Sequence, residues 1–367
     1  LPPLTAAEKA LWEKVEYNIP LTEENALFLY ESKNLAFLSA LATLVRERLH
    51  GKKAYYNRNF HIEPTNICIY ECAFCSFARK PGEAGAWEYT PEEIEAIASR
   101  YVNKPVTEVH IVGGVHPKRG IEYYADIIRR IKRILPHIHV KAFTAVELKV
   151  MCARSRMSYR EGLSALKEAG LDSIPGGGAE IFHPDIRSRI CATKATTEEW
   201  LAIHRTAHEL GIPSNATMLY GHIERYEHRI HHMKLLRELQ NETGGFNCFI
   251  PLKYRKENNA LSHVGEVSII EDLKNYAVCR LYLYNIPHLK AYWPMIGRTT
   301  AQLSLSFGVD DLDGTIDDTT KIYSMAGAEA HPSMTTEELR YLISSAGYIP
   351  QERDSLYRPV ISPSLMN

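Results

Sequence analysis

From about Arg58 onward, the sequence alternates short β-like runs with amphipathic helical stretches, and no other feature restricts the possible folds as much. The runs predicted as strands are Arg58–Thr65, Glu108–Gly113, His139–Ala145, Asp172–Pro175, Ser214–Tyr220, Gly245–Leu252, Ile286–Tyr292 and Val309–Gly314. The stretches predicted as helices are Pro91–Val102, Ile121–Leu135, Tyr159–Ala169, Thr197–Leu210, Glu224–Glu242, Ser268–Leu283 and Met295–Ser306. Such alternation favours parallel strands joined by crossover helices. Eight units over ~250 residues predict an α/β fold of the (β/α)8 TIM-barrel type, with a doubly wound open sheet as the alternative.

The two ends of the chain lie outside this repeat. Residues 5–50 have helical patterns, including a capping-box spacing from Thr5 to Glu8 and a second helix start at Leu21–Glu24. A further helix is predicted near Thr336–Ser345. Because no low-complexity segment or linker is evident, we expect one body. It would comprise an N-terminal helical extension at 1–50, the barrel at 51–320 and a C-terminal helical segment at 321–367.

Charge and hydropathy argue against several classes of protein. The 43 basic and 44 acidic side chains give a net charge of −1. The sequence lacks the clustered positive charge that a sequence-independent grip on nucleic acid or an anionic membrane requires. No apolar run approaches the ~20 residues that span a bilayer. The segment LPPLTAAEKALWEK lacks the apolar core of a signal peptide. We therefore predict a cytoplasmic protein with neither nucleic-acid nor membrane partners.

Three of the seven cysteines, Cys68, Cys72 and Cys75, lie in one loop directly after the first predicted strand. Closely spaced thiolates bind zinc or iron–sulfur clusters. A zinc site would need a fourth ligand, and His61 precedes the loop. A fully coordinated [4Fe–4S] carrier would need a fourth cysteine, and none lies nearby in the sequence. The cysteines alone therefore leave open a zinc-stabilised binding protein and an iron–sulfur electron carrier.

The spacing C-x3-C-x2-C, with the aromatic Phe74 directly before the last cysteine, resembles the cluster motif of the radical S-adenosylmethionine (SAM) superfamily. In that superfamily three cysteines bind three irons of a [4Fe–4S] cluster, and the fourth iron binds the amino and carboxylate groups of SAM. The resemblance implies one such cluster on Cys68, Cys72 and Cys75 and a 5′-deoxyadenosyl radical made from SAM. It also implies an external low-potential electron donor such as flavodoxin or ferredoxin.

Residues at the ends of later predicted strands resemble the superfamily's SAM pocket. Gly113-Gly114-Val115 stands where the superfamily carries a GGE-like motif, with Val115 in place of the acidic residue. Glycine at such a position lets the backbone approach a ligand closely. The run TMLYGHIE at 217–224 resembles the fifth-strand motif G-x-I-x-G-x-x-E, with threonine replacing the first glycine. By this resemblance, the residues expected to bind the cofactor are Phe74, Gly113, Gly114, Glu147, Glu180, Thr217 and Leu219.

A longer signature narrows the resemblance within the superfamily. The runs NFHIEPTNIC at 59–68, SIPGGGAE at 173–180 and GVDDLDGT at 308–315 resemble the group holding the futalosine-pathway enzymes of menaquinone biosynthesis and the deazaflavin-cofactor synthases. HIEPTN before the cysteines and FIPLKY at 249–254 are most similar to the aminofutalosine synthase family. That resemblance implies a transferase that adds the deoxyadenosyl radical to the enolpyruvyl C=C of 3-[(1-carboxyvinyl)oxy]benzoate. Dehypoxanthine futalosine cyclase and the deazaflavin synthases are the sister alternatives.

A substrate with two carboxylates needs cationic groups or strong hydrogen-bond donors in a dry site. We predict Asn66, Arg298 and His222 as substrate-binding residues, because each falls on a loop at the expected barrel mouth. Lys253 is interpreted as a solvated loop charge. The candidates for catalytic roles are Glu63, His61 and Tyr220.

Overall fold

Short parallel strands alternate with helices in this computed structural model, which describes residues 3–318, 321–328 and 332–360. The strands are β1 (Lys53–Asn57), β2 (Asn59–Ile62), β3 (Glu108–Ile111), β4 (His139–Ala142), β5 (Ser214–Tyr220), β6 (Phe246–Lys253), β7 (His288–Leu289), β8 (Asp311–Gly314), β9 (Asp317–Asp318) and β10 (Ile349–Glu352). The helices of the first half are α1 (Ala6–Glu16), α2 (Glu23–Glu31), α3 (Leu35–His50), α4 (Pro91–Ser99), α5 (Ile121–Ile134), α6 (Ala145–Ser155) and α7 (Tyr159–Ala169). Those of the second half are α8 (Pro184–Ile190), α9 (Thr197–Glu209), α10 (Tyr226–Thr243), α11 (Ile269–Tyr282), α12 (Trp293–Ile296), α13 (Arg298–Ser304) and α14 (Thr336–Ser345).

The strands form three hydrogen-bonded sheets, in the orders β10-β1-β8, β4-β3-β2-β9 and β5-β6-β7. All of these pairings are parallel, which confirms the predicted α/β class. The sheets do not form one continuous ladder, but single parallel bridges link their edges. These bridges join Lys141 to Ser173, Ile174 to Ser214, and Lys290 to Asp311.

Two predictions of regular elements are wrong: one predicted strand forms only single bridges, and one predicted helix is divided in two. The run Asp172–Pro175 contributes only the single bridges at Ser173 and Ile174. It ends there because Pro175 has no N–H to donate and Gly176 follows at φ +82°. The predicted helix Met295–Ser306 is divided into α12 and α13, because Gly297 lies between them at φ +81°.

The predicted third strand, His139–Ala145, ends at Ala142 as β4, and helix α6 begins at Ala145. The sequence nevertheless contains a signal for this helix. Thr144 is its N-cap and Glu147 its third helical residue, which is capping-box spacing. The Glu147 carboxylate accepts from the backbone N–H of Thr144 at 2.7 Å. The extended chain therefore turns into a helix at Thr144, and Glu147 is a helix-capping residue.

The N-terminal helices are bonded directly to the strand-bearing part of the chain. The predicted capping box at Thr5 and Glu8 is present at the start of α1. In α2, the hydroxyl of Tyr30 donates to Asn275 Oδ1 on α11 at 2.7 Å. In α3, the buried guanidinium of Arg46 donates from Nε to the Val309 carbonyl at 2.8 Å. These bonds hold α2 against α11 and hold α3 against the chain just before β8.

The chain after α14 returns to the sheet. Strand β10 pairs with β1 from Lys53–Ile349 to Tyr56–Glu352. The next residue, Arg353, is fully buried and bonds the Asp311 carboxylate through Nε at 2.7 Å. The predicted helix near Thr336–Ser345 is confirmed as α14. Residues 329–331 and 361–367 of the predicted C-terminal segment lie outside the described residues.

Within the described ranges, no helix is both long enough and apolar enough to cross a membrane.

Candidate active site

A cavity of about 260 Å³ lies where the carboxyl ends of the parallel strands meet. Its wall contains the three cysteines of the loop after β2 and residues that end or follow β3 to β8. Ligand sites of parallel α/β folds lie at this end, because the loops there vary while the strands hold them in place. The cavity is therefore the candidate active site.

The three predicted metal ligands all line this cavity as free thiols. Backbone bonds hold their loop: Cys68 donates to the Arg79 carbonyl at 3.0 Å, and Ala73 donates to the Ile190 carbonyl at 2.8 Å. Burial raises the pKa of the Cys72 thiol to about 12, although the Lys194 ammonium acts to lower it. A metal centre bound here must therefore displace protons from the thiols.

The fourth ligand that a zinc site would need does not stand with the three thiols at the cavity wall. His61, the possible fourth zinc ligand, lies on β2 with its ring 4.7 Å from that of His110, outside the residues that line the cavity. Three spaced thiols on one loop fit a multi-iron centre with one iron that lacks a protein ligand.

Gly113 and Gly114 line the cavity, and both are packed tightly against the strand that leads into the cysteine loop. A Cβ on Gly113 would lie 2.7 Å from the Thr65 carbonyl oxygen, and one on Gly114 would lie 2.4 Å from that of Ile67. The Gly114 N–H donates to the Thr65 carbonyl at 2.7 Å. These glycines are therefore needed for backbone packing, in addition to the close approach of a ligand predicted from the sequence.

Gly114→Ala is expected to lower iron incorporation at least about tenfold, because the new Cβ meets backbone atoms that cannot move without shifting the cysteine loop. Iron per chain after anaerobic reconstitution measures this effect. Gly244→Ala is the matched control, since a Cβ there meets nothing within 4 Å although φ is +63°. Wild-type iron content in the Gly114→Ala protein would contradict the packing role.

Glu147 is close to the predicted SAM pocket but does not line the cavity. Its carboxylate accepts from the backbone N–H of Gly113 at 3.2 Å as well as from Thr144. Burial raises the pKa of the Glu147 carboxyl to about 7 against the lowering effect of these bonds. The structure thus places Glu147 behind the glycines, where it holds Gly113, rather than at the cavity surface.

The remaining predicted SAM-binding residues do line the cavity. These are Phe74 on the cysteine loop, Glu180, and Thr217 and Leu219 on β5. Thr217 Oγ1 donates to the Gly176 carbonyl at 2.8 Å.

Lys194, which sequence reasoning missed, pairs with Glu180 at 2.5 Å, and its Nζ lies 5.2 Å from the Phe74 ring centre. Burial acts to lower the pKa of Lys194, but Cys72 and Glu180 outweigh it and raise that pKa. A cation therefore stands beside the thiol loop, and no local sequence pattern marked it.

Asn66 and Glu63 are buried behind the wall of the cavity and brace its loops. The Asn66 amide donates to the Gly85 carbonyl at 2.9 Å and accepts from the Trp87 N–H at 2.8 Å. The Glu63 carboxylate accepts from the N–H groups of Lys321 and Ile322, at 2.7 and 3.1 Å. Neither residue lines the cavity, so the structure does not bring them to a substrate.

Tyr220, His222 and Arg298 also lie away from the cavity surface. The Tyr220 hydroxyl donates to Asp272 at 2.8 Å. His222 Nε2 is 3.1 Å from the Leu219 carbonyl oxygen, within the turn after β5. Arg298 begins α13, where its guanidinium bonds the Ser333 carbonyl at 3.1 Å and Glu338 at 3.3 Å. Arg298 is not at the cavity surface, because the chain enters α13 after Gly297 and the guanidinium bonds residues in and just before α14.

Lys253 is not solvated as interpreted. It is buried at the end of β6, lines the cavity, and donates to Asp272 at 2.7 Å and to the Val267 carbonyl at 2.9 Å.

Two further lysines, Lys141 on β4 and Lys290 after β7, also line the cavity, and sequence reasoning missed both. Each donates to one buried carboxylate at 2.6 Å: Lys141 to Glu108 and Lys290 to Asp313.

Comparison with known families and proteins gives a consistent result. The Radical SAM superfamily model matches residues 62–236, and the model for the CofH/MqnC C-terminal region matches residues 243–366. The chain is 48% identical to aminodeoxyfutalosine synthase of Thermus thermophilus over 95% of this chain and 94% of that protein. It is 36% identical to 5-amino-6-(D-ribitylamino)uracil–L-tyrosine 4-hydroxyphenyl transferase of Methanothermobacter thermautotrophicus, over 93% and 95%. Methylornithine synthase (PylB) has a similar structure, with a TM-score of 0.72, 16% identity, and coverage of 93% and 97%.

Proposed function

This chain belongs to the radical SAM superfamily, in the family with a C-terminal region of the CofH/MqnC type, and from that membership we propose that it is an aminodeoxyfutalosine synthase. The family membership confirms the resemblance predicted from the cysteine spacing. The proposed reaction joins the 5′-deoxyadenosyl group of SAM to the enolpyruvyl carbon of 3-[(1-carboxyvinyl)oxy]benzoate, with loss of a carboxyl group.

The observation that carries the proposal is the near-full-length similarity to a named synthase at 48% identity. The position of all three cysteines on the wall of the central cavity agrees with it. Cys68, Cys72 and Cys75 would hold the single [4Fe–4S] cluster. When bound, that cluster supplies the electron that cleaves SAM and leaves one iron open to the SAM amino and carboxylate groups.

The chain's own residues position and enclose SAM in this proposal. The backbone of Gly113 and Gly114, fixed by Glu147, forms one side of the SAM subsite. The Lys194 ammonium and the Glu180 carboxylate offer opposite charges beside the thiol loop. Thr217, Leu219 and Phe74 complete the wall and exclude water. Exclusion of water strengthens each polar contact, because the local dielectric constant falls.

The finer architecture is also proposed. A closed (β/α)8 barrel is supported by the single bridges that link the three sheets and by the PylB likeness. A helical extension at 1–50 and a C-terminal segment at 321–367 would cover its outside and one end. We also propose that the protein works in the reducing cytoplasm, which suits free thiols at a cluster site. Its electron donor would be a protein such as flavodoxin or ferredoxin.

The test is anaerobic incubation of the reconstituted protein with dithionite, SAM and 3-[(1-carboxyvinyl)oxy]benzoate. We expect methionine and an adenosyl–substrate adduct with the mass of aminodeoxyfutalosine. Release of free 5′-deoxyadenosine without this adduct would contradict the synthase function. A second incubation supplies tyrosine and 5-amino-6-(D-ribitylamino)uracil in place of the benzoate. A product that joins these two compounds would favour the sister transferase, to which the chain is 36% identical.

A further inference from the structure

The base of the cavity is polar, and we call Lys141, Asn215 and Lys290 the cavity floor. These residues come from three strand regions: β4, the start of β5, and the residue after β7. All three line the cavity and are at least nine-tenths buried, with exposures of 5%, 4% and 3%. Buried polar groups are normally hydrogen-bonded, so unused donors at a cavity surface point to a ligand.

The floor holds more N–H donors than the protein uses. Each lysine ammonium has three N–H groups, and the described residues accept one bond from each, at Glu108 and at Asp313. The Asn215 carboxamide makes no side-chain hydrogen bond to the described residues, although its backbone N–H donates to the Ile174 carbonyl at 3.1 Å. The available ammonium and amide donors suit a ligand group that only accepts, and a carboxylate is such a group.

The charge of the floor is balanced within the protein. Lys141 and Lys290 are each neutralised by a carboxylate at 2.6 Å, and these carboxylates, Glu108 and Asp313, also line the cavity. An entering anion is therefore held by hydrogen bonds from charged and amide donors rather than by an uncompensated positive charge. A further carboxylate at the floor, in addition to Glu108 and Asp313, would repel an anionic ligand strongly, because water is excluded there.

The wall above the floor is mainly apolar. Val112, Ile250, Leu252, Met295 and Ile322 line the same cavity, together with the rings of Tyr292 and Tyr323. Apolar walls above a polar base fit a flat hydrocarbon body that ends in one polar group. An aromatic acid has this shape and polarity.

We propose that the cavity floor is the subsite for the ring carboxylate of an aromatic acid substrate, with Asn215 as the residue that determines specificity for it. This inference rests on the proposed function. The carboxylate of the enolpyruvyl group is attached directly to the reacting C=C, which must lie beside SAM at the glycine side. The floor is deeper, because Lys141 lies within β4 and pairs with His110 of β3, which precedes Gly113 by three residues along the neighbouring strand. The ring carboxylate is therefore the one that reaches the floor.

Asn215→Asp and Asn215→Leu test the proposal without removing a side-chain hydrogen bond of the described structure. The probes are the unreactive 3-[(1-carboxyethyl)oxy]benzoate and its ring carboxamide. Their dissociation constants are measured by anaerobic calorimetry on the reconstituted enzyme with SAM. We expect Asn215→Leu to weaken carboxylate binding about 10- to 100-fold, the loss of one bond to a charged group. Asn215→Asp should weaken it more than about 100-fold and reverse the preference toward the carboxamide.

One control and one further test variant accompany these substitutions. Asn103→Asp adds the same charge at an exposed site outside the cavity and should leave both dissociation constants unchanged. The double variant Lys141→Met/Glu108→Gln removes one ammonium without leaving its carboxylate charged, and should weaken carboxylate binding at least about tenfold. Unchanged carboxylate-to-carboxamide ratios in Asn215→Asp would overturn the floor assignment even if the wild-type enzyme makes the adduct. Failure of the wild-type enzyme to make the adduct would instead overturn the proposed function.

Discussion

Cys72→Ala protein is expected to retain less than about a tenth of the wild-type iron and to show no SAM cleavage above background, because two thiolates cannot hold a cluster that needs three. The three cysteines share one cavity wall, and no other described cysteine lines that cavity. Iron per chain, the visible absorbance of the cluster and the release of 5′-deoxyadenosine measure the effect. Loss of all three signals is the expected result.

Cys279→Ala is the matched control for this prediction. Cys279 is fully buried in α11 and does not line the cavity. Its replacement removes a thiol and a small packing group while leaving the loop unchanged, so iron content and SAM cleavage should stay within about twofold of wild type. A Cys72→Ala protein with Cys279→Ala levels of iron and activity would refute the cluster assignment.

Arg353→Met is expected to reduce the free energy of unfolding by about 3–5 kcal/mol, because it leaves the buried Asp311 carboxylate without its cation. Both side chains have no solvent exposure, and they are joined at 2.7 and 2.6 Å. Burial acts to raise the pKa of Asp311, but Arg353 and Lys290 outweigh it and hold that pKa below its usual range. Denaturant unfolding followed by circular dichroism measures the loss.

Two further variants separate the buried charge from the rest of the C-terminal segment. In Arg353→Met/Asp311→Leu, both charges are gone and most of the lost stability should return. Arg358→Met, which breaks the exposed pair with Asp354 at 2.6 Å, should cost less than about 1 kcal/mol. Equal losses in Arg353→Met and Arg358→Met would show that the burial of the ion pair does not determine how much stability is lost.

Local sequence signals predicted much of the fold correctly. The capping box at Thr5, the helix start at Leu21–Glu24, the helix at Thr336–Ser345 and the alternation of strands with helices all depend on residues within a few positions of one another. Two errors arose where proline or glycine residues ended an element. Pro175 with Gly176 cut short one strand, and Gly297 divided one helix. The capping box at Thr144 and Glu147 was readable but competed with a strand pattern.

The roles of individual site residues were less predictable. Asn66 and Glu63 precede the cysteine loop, yet their hydrogen bonds are to the backbone of residues 85–87 and 321–322. Which face of a strand or loop a residue occupies depends on its register against neighbours far away in sequence. Arg298 shows the same limit, because its partners Ser333 and Glu338 are about 40 residues away.

The sequence by itself determined the thiol set, its one-loop spacing and the α/β alternation, because ligand spacing and hydrophobic period are properties of short segments. Only the tertiary structure placed Lys194 with Glu180 beside Cys72, and Lys141, Asn215 and Lys290 together at one cavity floor. These residues come from different strands and loops, and parallel pairing in a particular register brings them together. At the cavity floor, the functional inference depends on N–H donors that have no acceptor among the residues that the structure describes. That is a property of the folded arrangement and not of any single stretch of the chain.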